Sequence, residues 1–285
     1  MLPAGQQHTP LCYDVDSTAP RAIGKGRALA KMSLMGEVLV GAAIFACLAG
    51  ASLVGLMVHE RFPAHHLGDD TSAVVRLAAN LFVVMSSLML GLMINSAKNT
   101  FESINGNVHT FATDLILLDR TLRHYGPETD SARQSLTAYV QRVVDTSTAN
   151  SDTTVVPSRL SELLLNQVGD IVAGLTPTDA KQIAAQQAAT QQLQKVIEQR
   201  WILAEQSEGA IPAPLIVLLV AWLTLIFASF GFRAPRNGTI VFTCLVSGAL
   251  AAAAIYLIVD MDSPFSGPIQ VSPAPLQRAL AELTQ

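Results

Sequence analysis

Residues 213–232 read APLIVLLVAWLTLIFASFGF and contain no Asp, Glu, Lys or Arg. A helix rises 1.5 Å per residue, so twenty residues span about 30 Å, the thickness of the hydrocarbon core of a membrane. The segment is apolar around its whole circumference, whereas a surface helix of a soluble protein keeps one polar face. This stretch therefore predicts a transmembrane helix.

Three other stretches of similar length are also free of charged residues: 38–59, 77–97 and 237–259. With the span around residues 209–232 they predict four membrane crossings. The composition agrees, because 50% of the residues are hydrophobic and 14% are charged, where a soluble domain usually has ~25% charged residues. We therefore predict an all-α integral membrane protein.

The four spans divide the chain into five segments. We expect a flexible N-terminal arm (1–33), a hairpin of spans one and two (34–97), a helical domain (98–210), a hairpin of spans three and four (211–259), and a proline-rich turn with a C-terminal packing helix (260–285). The helical domain is thus inserted between spans two and three.

Span two is expected to continue out of the membrane as one rod. Apolar residues recur every three or four positions from Phe101 to Leu122, and no proline interrupts residues 64–126. Gly126 and Pro127 then end the helix. Three more helices are expected: about 128–147, one beginning near Ser158, and one from about Asp179 towards Glu208 that leads continuously into span three.

The positive charges predict the topology. Arg21, Lys25, Arg27 and Lys31 precede span one, while the loop at residues 60–72 carries one arginine and three acidic residues. The positive-inside rule then puts the N-terminus in the cytoplasm, and four spans return the C-terminus there. Arg233 and Arg236 fall on the outer side, against the rule. The net charge of −4 and the lack of a basic block argue against a nucleic-acid partner.

The sequence carries no recognisable catalytic motif. It contains no G-x-S-x-G, P-loop, G-x-G-x-x-G or C-x-x-C pattern, and no pair of its three cysteines has metal-ligand spacing. His65 and His66 lie beside Asp69 and Asp70, where a solvated loop is favoured over a metal site. We expect no enzymatic activity, no cofactor and no bound metal.

A polar cluster precedes the Gly-Pro break. It contains Asp119, Arg120, Arg123, His124 and Tyr125. Asp119 and Arg123 are four residues apart, as are Arg120 and His124, so each pair can meet on one helix face. Tyr125 could dock the helix end against a neighbouring helix. A structural role is favoured, and ligand binding is the alternative.

Span two also carries a stripe of small and polar residues at spacings of 4, 3, 4 and 4: Asn80, Val84, Ser87, Gly91 and Asn95. Such residues serve close packing between membrane helices, or they line a water-filled path. The residues alone favour packing. Arg76 and Lys98 stand at the two ends of the span, where they would attract anions or anchor the helix at the membrane interfaces.

Five motifs together resemble a bacterial family of membrane proteins with a bestrophin-like domain. They are GLMINSAKNTFE (91–102), LILLDRTLRHYGPE (115–128), RWILAEQ (200–206), GFRAPRNGT (231–239) and DMDSPFSGPIQVSPAPL (260–276). The resemblance runs from about residue 35 to the end of the chain.

The resemblance implies a pentameric anion channel with cytoplasmic termini and a pore lined by the second span. It places the protein in the bacterial inner membrane, with the lipid bilayer, further copies of the chain and small anions such as chloride as its partners. In the pore, Val84, Leu88 or Leu90 would replace an aromatic constriction. The acidic segment after the last bestrophin span corresponds here to Asp260, Asp262, Pro264, Phe265 and Gly267. Ser266 separates Phe265 from Gly267, a departure from the bestrophin spacing that argues against calcium gating.

Two functions remain open at this point. The first is an oligomeric, anion-selective pore lined by span two, and the second is a non-conducting membrane scaffold or sensor whose helical domain binds a partner. The C-terminal helix is expected to begin with Ser272 as its cap and Pro273 at its first position. It should then pack on the cytoplasmic bundle through Leu276, Leu280 and Leu283 and stabilise the oligomer.

Overall fold

The computed structural model describes residues 19–58, 69–148, 159–207, 209, 211–233, 237–263, 265 and 268–285. Throughout these residues the regular structure is helical, with no strand. The helices are α1 (Ala19–Val58), α2 (Asp69–Tyr125), α3 (Asp130–Thr148), α4 (Arg159–Ala173), α5 (Ala180–Gln206), α6 (Ala213–Arg233), α7 (Gly238–Asp262) and α8 (Ala274–Leu283). A short 3₁₀ turn, Pro127–Thr129, joins α2 to α3. The all-α prediction is confirmed.

Four of the helices are long and apolar enough to cross a membrane. The qualifying segments are Val38–Met57 of α1, the stretch of α2 that begins at Arg76, Ala213–Phe232 of α6 and Gly238–Asp262 of α7. These segments coincide with the four charge-free stretches of the sequence. Among the described residues the structure therefore contains four candidate membrane helices, at the positions that the sequence predicts.

The spans pack into an apolar layer. Its core contains Leu48 of α1, Met93 of α2, Leu219 of α6 and Ile255 of α7, which are buried. The closest approach joins α1 to α6. A Cβ on Gly55 would overlap the carbonyl oxygen of Ala228, and a Cβ on Gly231 would overlap that of Ser52. Glycine at both positions lets the two backbones touch, as small residues commonly do between membrane helices.

The helices α3, α4, α5 and α8 pack around the second half of α2. We call this group of helices the polar layer. The buried face of α2 in this layer comprises Ile104, Val108, Phe111, Leu115, Leu118 and Leu122. Residues from α3, α4, α5 and α8 complete the core. At 1.5 Å per residue, the 57 residues of α2 form a rod of about 85 Å that belongs to both layers. The continuous helix predicted for span two is confirmed.

Two of the expected helix boundaries are wrong. The helix α1 begins at Ala19 rather than near residue 34; after Pro20 the segment has no proline and is rich in strong helix formers. Residues 1–18 lie outside the described residues. The helices α5 and α6 are separate, because Pro212 has no amide hydrogen for a helical bond and disfavours a helical residue before it.

The ends of α5 and α8 agree more closely with the sequence. The Asp179 side chain accepts a hydrogen bond of 2.6 Å from the amide of Gln182 and caps α5 as predicted. The helix α8 begins at Ala274, one residue later than expected, and the Ser272 hydroxyl accepts a bond of 3.3 Å from the Ala274 amide. The apolar face of α8 packs on the polar layer of its own chain.

Candidate functional site

The small and polar stripe of α2 faces away from the other helices of the chain. Asn80, Val84, Ser87, Gly91 and Asn95 are all exposed. The packing face of this part of α2 is instead formed by Ala79, Ser86, Met93 and Ala97, which are buried. At 100° per residue the stripe lies roughly 140° around the helix from that face. The stripe therefore takes no part in packing between the helices of one chain.

The stripe presents neutral hydrogen-bonding groups and an open backbone. Asn80 and Asn95 carry amides and Ser87 carries a hydroxyl, and none of these groups has a formal charge. A Cβ on Gly91 would meet no described atom within 4 Å. Weakly polar groups of this kind can replace part of the hydration shell of an ion without holding it tightly.

Two aliphatic side chains, one in the stripe and one beside it, could narrow a path along the stripe. Val84 is 65% exposed and Leu88 is 66% exposed. Leu90 is half-buried against the apolar core, and so is Phe82, the one aromatic residue in residues 77–97. Of the three residues suggested for a constriction, Val84 and Leu88 have the required exposure, and Leu90 lies on the packing side.

The two charged residues at the ends of the span differ in their surroundings. Arg76 is exposed. The Lys98 ammonium lies 3.4 Å from a carboxylate oxygen of Glu102, and both side chains are about 60% exposed. Such an exposed pair contributes little to stability. The nearby carboxylate partly offsets the positive charge at this end of the stripe.

The polar cluster before the Gly-Pro break contains a buried carboxylate. Asp119 is 2% exposed. Its Oδ2 accepts a bond of 2.9 Å from Arg123, as their spacing predicts, and its Oδ1 accepts one of 2.8 Å from Nε of Arg133 on α3. Arg133 was not anticipated, because it lies fourteen residues away and no local pattern pairs it with Asp119. This carboxylate joins α2 to α3.

The reversal between α2 and α3 depends on Gly126 and Thr129. Gly126 has a φ of 134°, a conformation that side chains with a Cβ rarely adopt. The buried Thr129 hydroxyl lies 2.6 Å from the carbonyl oxygen of Leu122 and 2.8 Å from that of Gly126. Tyr125 is buried at the helix end. The loop is thus held by its own hydrogen bonds and side-chain packing.

The expected pairing of Arg120 with His124 does not occur. Arg120 lies 3.9 Å from the Glu282 carboxylate on α8 instead, and both side chains are largely exposed. His124 is also exposed. The cluster therefore connects α2 with α3 and α8, an arrangement typical of a structural role.

The acidic segment after the last span binds backbone amides. Asp260 and Asp262 are buried. Asp260 Oδ2 accepts a bond of 3.0 Å from the amide of Ile269, and Asp262 Oδ2 accepts one of 3.1 Å from the amide of Ile211. These two bonds connect the end of α7 to the C-terminal tail and to the segment before α6.

Part of this segment can be described further. Phe265 packs half-buried against the core of the polar layer. Pro264 and Gly267 lie outside the described residues, as do His65 and His66. Among the described residues, no three His, Cys, Asp or Glu side chains form a group that could hold a metal ion.

The polar layer also encloses a buried tyrosine and a buried arginine, Tyr139 and Arg200. Tyr139 is 2% exposed and Arg200 is 5% exposed. Burial raises the pKa of Tyr139 to about 12, while the positive charge of Arg200 acts in the opposite direction. Tyr139 therefore stays protonated far above neutral pH.

Comparison with known proteins points to one family. A model described as the bestrophin-like domain matches residues 46–276. No curated protein matches the chain.

Solved structures of bacterial bestrophin homologues share the fold. A point variant of the homologue from Klebsiella pneumoniae has a TM-score of 0.62 at 13% identity, covering 86% of this chain and 99% of its own. The same homologue solved by zinc phasing has a TM-score of 0.59 at 16% identity, covering 84% of this chain and 96% of its own. At these identities the likeness shows the fold alone.

Proposed function

The chain belongs to the bestrophin-like family, and from that premise we propose that it forms an oligomeric, anion-selective channel whose pore is lined by α2. The bestrophin resemblance suggests a pentamer that conducts chloride or another small anion. In this proposal the stripes of the symmetry-related α2 helices face one another around a central path.

The observation that carries the proposal is the exposure of the whole stripe. Asn80, Val84, Ser87, Gly91 and Asn95 lie on the side of α2 away from its packing face. Uncharged polar groups facing lipid would be unfavourable, since the hydrocarbon cannot satisfy their hydrogen bonds. An aqueous path satisfies them. Exposure to a central pore therefore explains why polar side chains occupy this face of a membrane helix.

The charges near the path favour anions. Residues 77–97 carry neither Asp nor Glu, so no fixed negative charge in the span repels an anion. Arg76 gives the path a positive charge at one end. At the other end the charge of Lys98 is partly offset by Glu102. We therefore expect Arg76 to contribute more than Lys98 to the attraction of anions.

The proposed setting is the bacterial inner membrane, with the polar layer and both termini in the cytoplasm. Contact with lipid suits the outer faces of the spans, where Val217, Phe242 and Leu250 are each more than 60% exposed. The basic residues before span one support the orientation. The identity of the permeant ion, the orientation of the chain in the membrane and the number of subunits are all part of this proposal.

Halide flux from proteoliposomes tests the proposal. The Ser87→Trp variant puts a bulky ring on the stripe, and Met85→Trp puts the same ring at a similar depth on another exposed face of α2. We expect the wild type and Met85→Trp to release halide and Ser87→Trp to release little. All three proteins should elute at the same oligomeric size in detergent.

Equal flux from the two variants would contradict pore lining by α2. A folded oligomer without flux, over a range of calcium concentration, pH and membrane potential, would instead favour the non-conducting scaffold or sensor. In that case substitutions on the stripe should change stability alone.

A further inference from the structure

A groove runs between α1 and α7 on the outside of the apolar layer. It has a volume of about 320 Å³ and is lined almost entirely by apolar atoms. Val38, Ala42 and Phe45 form its α1 side, and Ala249, Ala253 and Tyr256 form its α7 side. All six lie within the segments that are long and apolar enough to cross a membrane. The groove therefore opens where hydrocarbon surrounds the protein.

Small residues make the groove deep enough for a chain of methylene groups. Three of the six lining residues named above are alanines, and Gly41 lies beside them. A Cβ on Gly41 would lie 3.5 Å from Cδ2 of Tyr256, in ordinary van der Waals contact. The side chain of Tyr256 thus stands against the bare backbone of α1. Larger residues at Gly41 or Ala42 would fill the groove.

Basic residues occupy the α1 positions in line with the groove. The helix is continuous from Ala19 through Val58. At 100° per residue, positions 27 and 31 fall within about 20° of Val38, on the face that carries Ala42 and Phe45. Position 31 stands about 10 Å before Val38 along the axis. Residues 19–37 contain Arg21, Lys25, Arg27 and Lys31 and one acidic residue, Glu37, whose position is about 100° around the helix from Val38.

We propose that the groove binds one acyl chain of an anionic phospholipid and that the positive charges at positions 27 and 31 attract its headgroup. A hydrocarbon chain fits the apolar lining, and the phosphate lies a few ångströms beyond the hydrocarbon boundary, between Val38 and these positions. Basic residues next to a membrane helix favour anionic lipids electrostatically. The chemical class recognised is therefore a phospholipid with a net negative headgroup.

Native mass spectrometry of the full-length oligomer tests the groove. Phosphatidylglycerol is added to the delipidated protein, and the lipids retained per chain are counted. Ala42→Leu fills the groove, and Ala43→Leu adds the same side chain at the next position, which is exposed but does not line it. We expect the wild type and Ala43→Leu to retain one more lipid per chain than Ala42→Leu.

A second pair of variants tests the charges. Arg27→Gln/Lys31→Gln and Arg21→Gln/Lys25→Gln each remove two positive charges, but positions 21 and 25 lie about 100° and 140° around the helix from Val38. We expect the first pair to lower the preference for phosphatidylglycerol over phosphatidylcholine by roughly fivefold per charge. The second pair should change this preference much less.

Three results would overturn the proposal. In the first, Ala42→Leu and Ala43→Leu retain the same number of lipids. In the second, both pairs of charge variants lower the lipid preference equally. In the third, Ala42→Leu changes the mass of the oligomer without changing the lipid count, which would mean that a second copy of the chain covers the groove.

Discussion

Neutralising Asp119 should destabilise the polar layer. Its carboxylate is 2% exposed and holds Arg123 on its own helix and Arg133 on α3 through bonds of 2.9 and 2.8 Å. Asp119→Asn keeps the shape of the side chain and removes the negative charge. One arginine then faces an amide nitrogen, and both lose a charged acceptor.

The size of the effect follows from the exposure of the two arginines. A hydrogen bond to a charged group contributes ~1.5–3 kcal/mol. Arg133 is 23% exposed and Arg123 is 47% exposed, so solvent screening reduces the second contribution to below ~1 kcal/mol. We expect a loss of about 2–3 kcal/mol in total. For a domain of this size that corresponds to roughly 5–10 °C in the unfolding midpoint.

Thermal unfolding of the detergent-solubilised oligomer, followed by circular dichroism, measures the effect. Asp130→Asn is the matched control, because the Asp130 carboxylate also lies near Arg133, at 3.7 Å, but is 60% exposed. This variant should lose less than ~1 kcal/mol of the free energy of unfolding. The double variant Asp119→Asn/Arg133→Met should lose less than the sum of its two single variants, because both remove the same bond.

Two results would refute this reasoning. One is a midpoint for Asp119→Asn within about 1 °C of the wild type, below the shift expected for a loss of even 1 kcal/mol. The other is strict additivity in the double variant, which would mean that the carboxylate and Arg133 contribute independently.

Three further predictions concern packing, pH and the C-terminal tail. Gly231→Leu should prevent α1 from approaching α6 at Ser52, so the peak of the folded oligomer should disappear from gel filtration. Gly50→Leu is the control and should elute like the wild type, because a Cβ at Gly50 would meet no described atom within 4 Å. Equal elution of the two variants would contradict the close approach of α1 to α6. Burial raises the pKa of Tyr139 to about 12 in the folded protein, whereas the pKa is ~10 in the unfolded chain. The free energy of unfolding should therefore be unaffected by this group below pH 10 and should fall as the pH rises from 10 towards 12. Tyr139→Phe should lose less stability between pH 9 and 11, and an equal loss would rule out Tyr139 as the cause. Deleting residues 263–285 should uncover the part of the core that α8 covers and break the oligomer on gel filtration; an unchanged elution volume would contradict this role.

The features that depend on residues close together in the chain could be predicted from the sequence. The spans follow from runs without charge, and the length of α2 follows from its unbroken apolar periodicity and the Gly-Pro stop. The pair Asp119–Arg123 and the cap at Asp179 are likewise fixed by residues within one helical turn. In each of these cases the partners are neighbours along the chain.

The contacts between distant segments could not be predicted. Arg133 reaches Asp119 only because the loop at Gly126 reverses the chain, and the approach of Gly55 to Gly231 depends on how α1 and α6 pack. The stripe on α2 is the clearest example for function. Its residue composition is compatible both with packing against another helix and with exposure to a water-filled path. Which of the two applies depends on which face of α2 the other spans cover.

Thiol accessibility measured on currents is the most direct test of a pore lined by α2. Ser87→Cys and Met85→Cys are placed in a background that lacks Cys12, Cys47 and Cys244, and currents are recorded across a planar bilayer before and after a small charged thiosulfonate is added. We predict that the reagent blocks the current of Ser87→Cys and leaves that of Met85→Cys unchanged. Currents that persist unchanged in Ser87→Cys, with the cysteine shown to be modified, would contradict a pore lined by this face of α2.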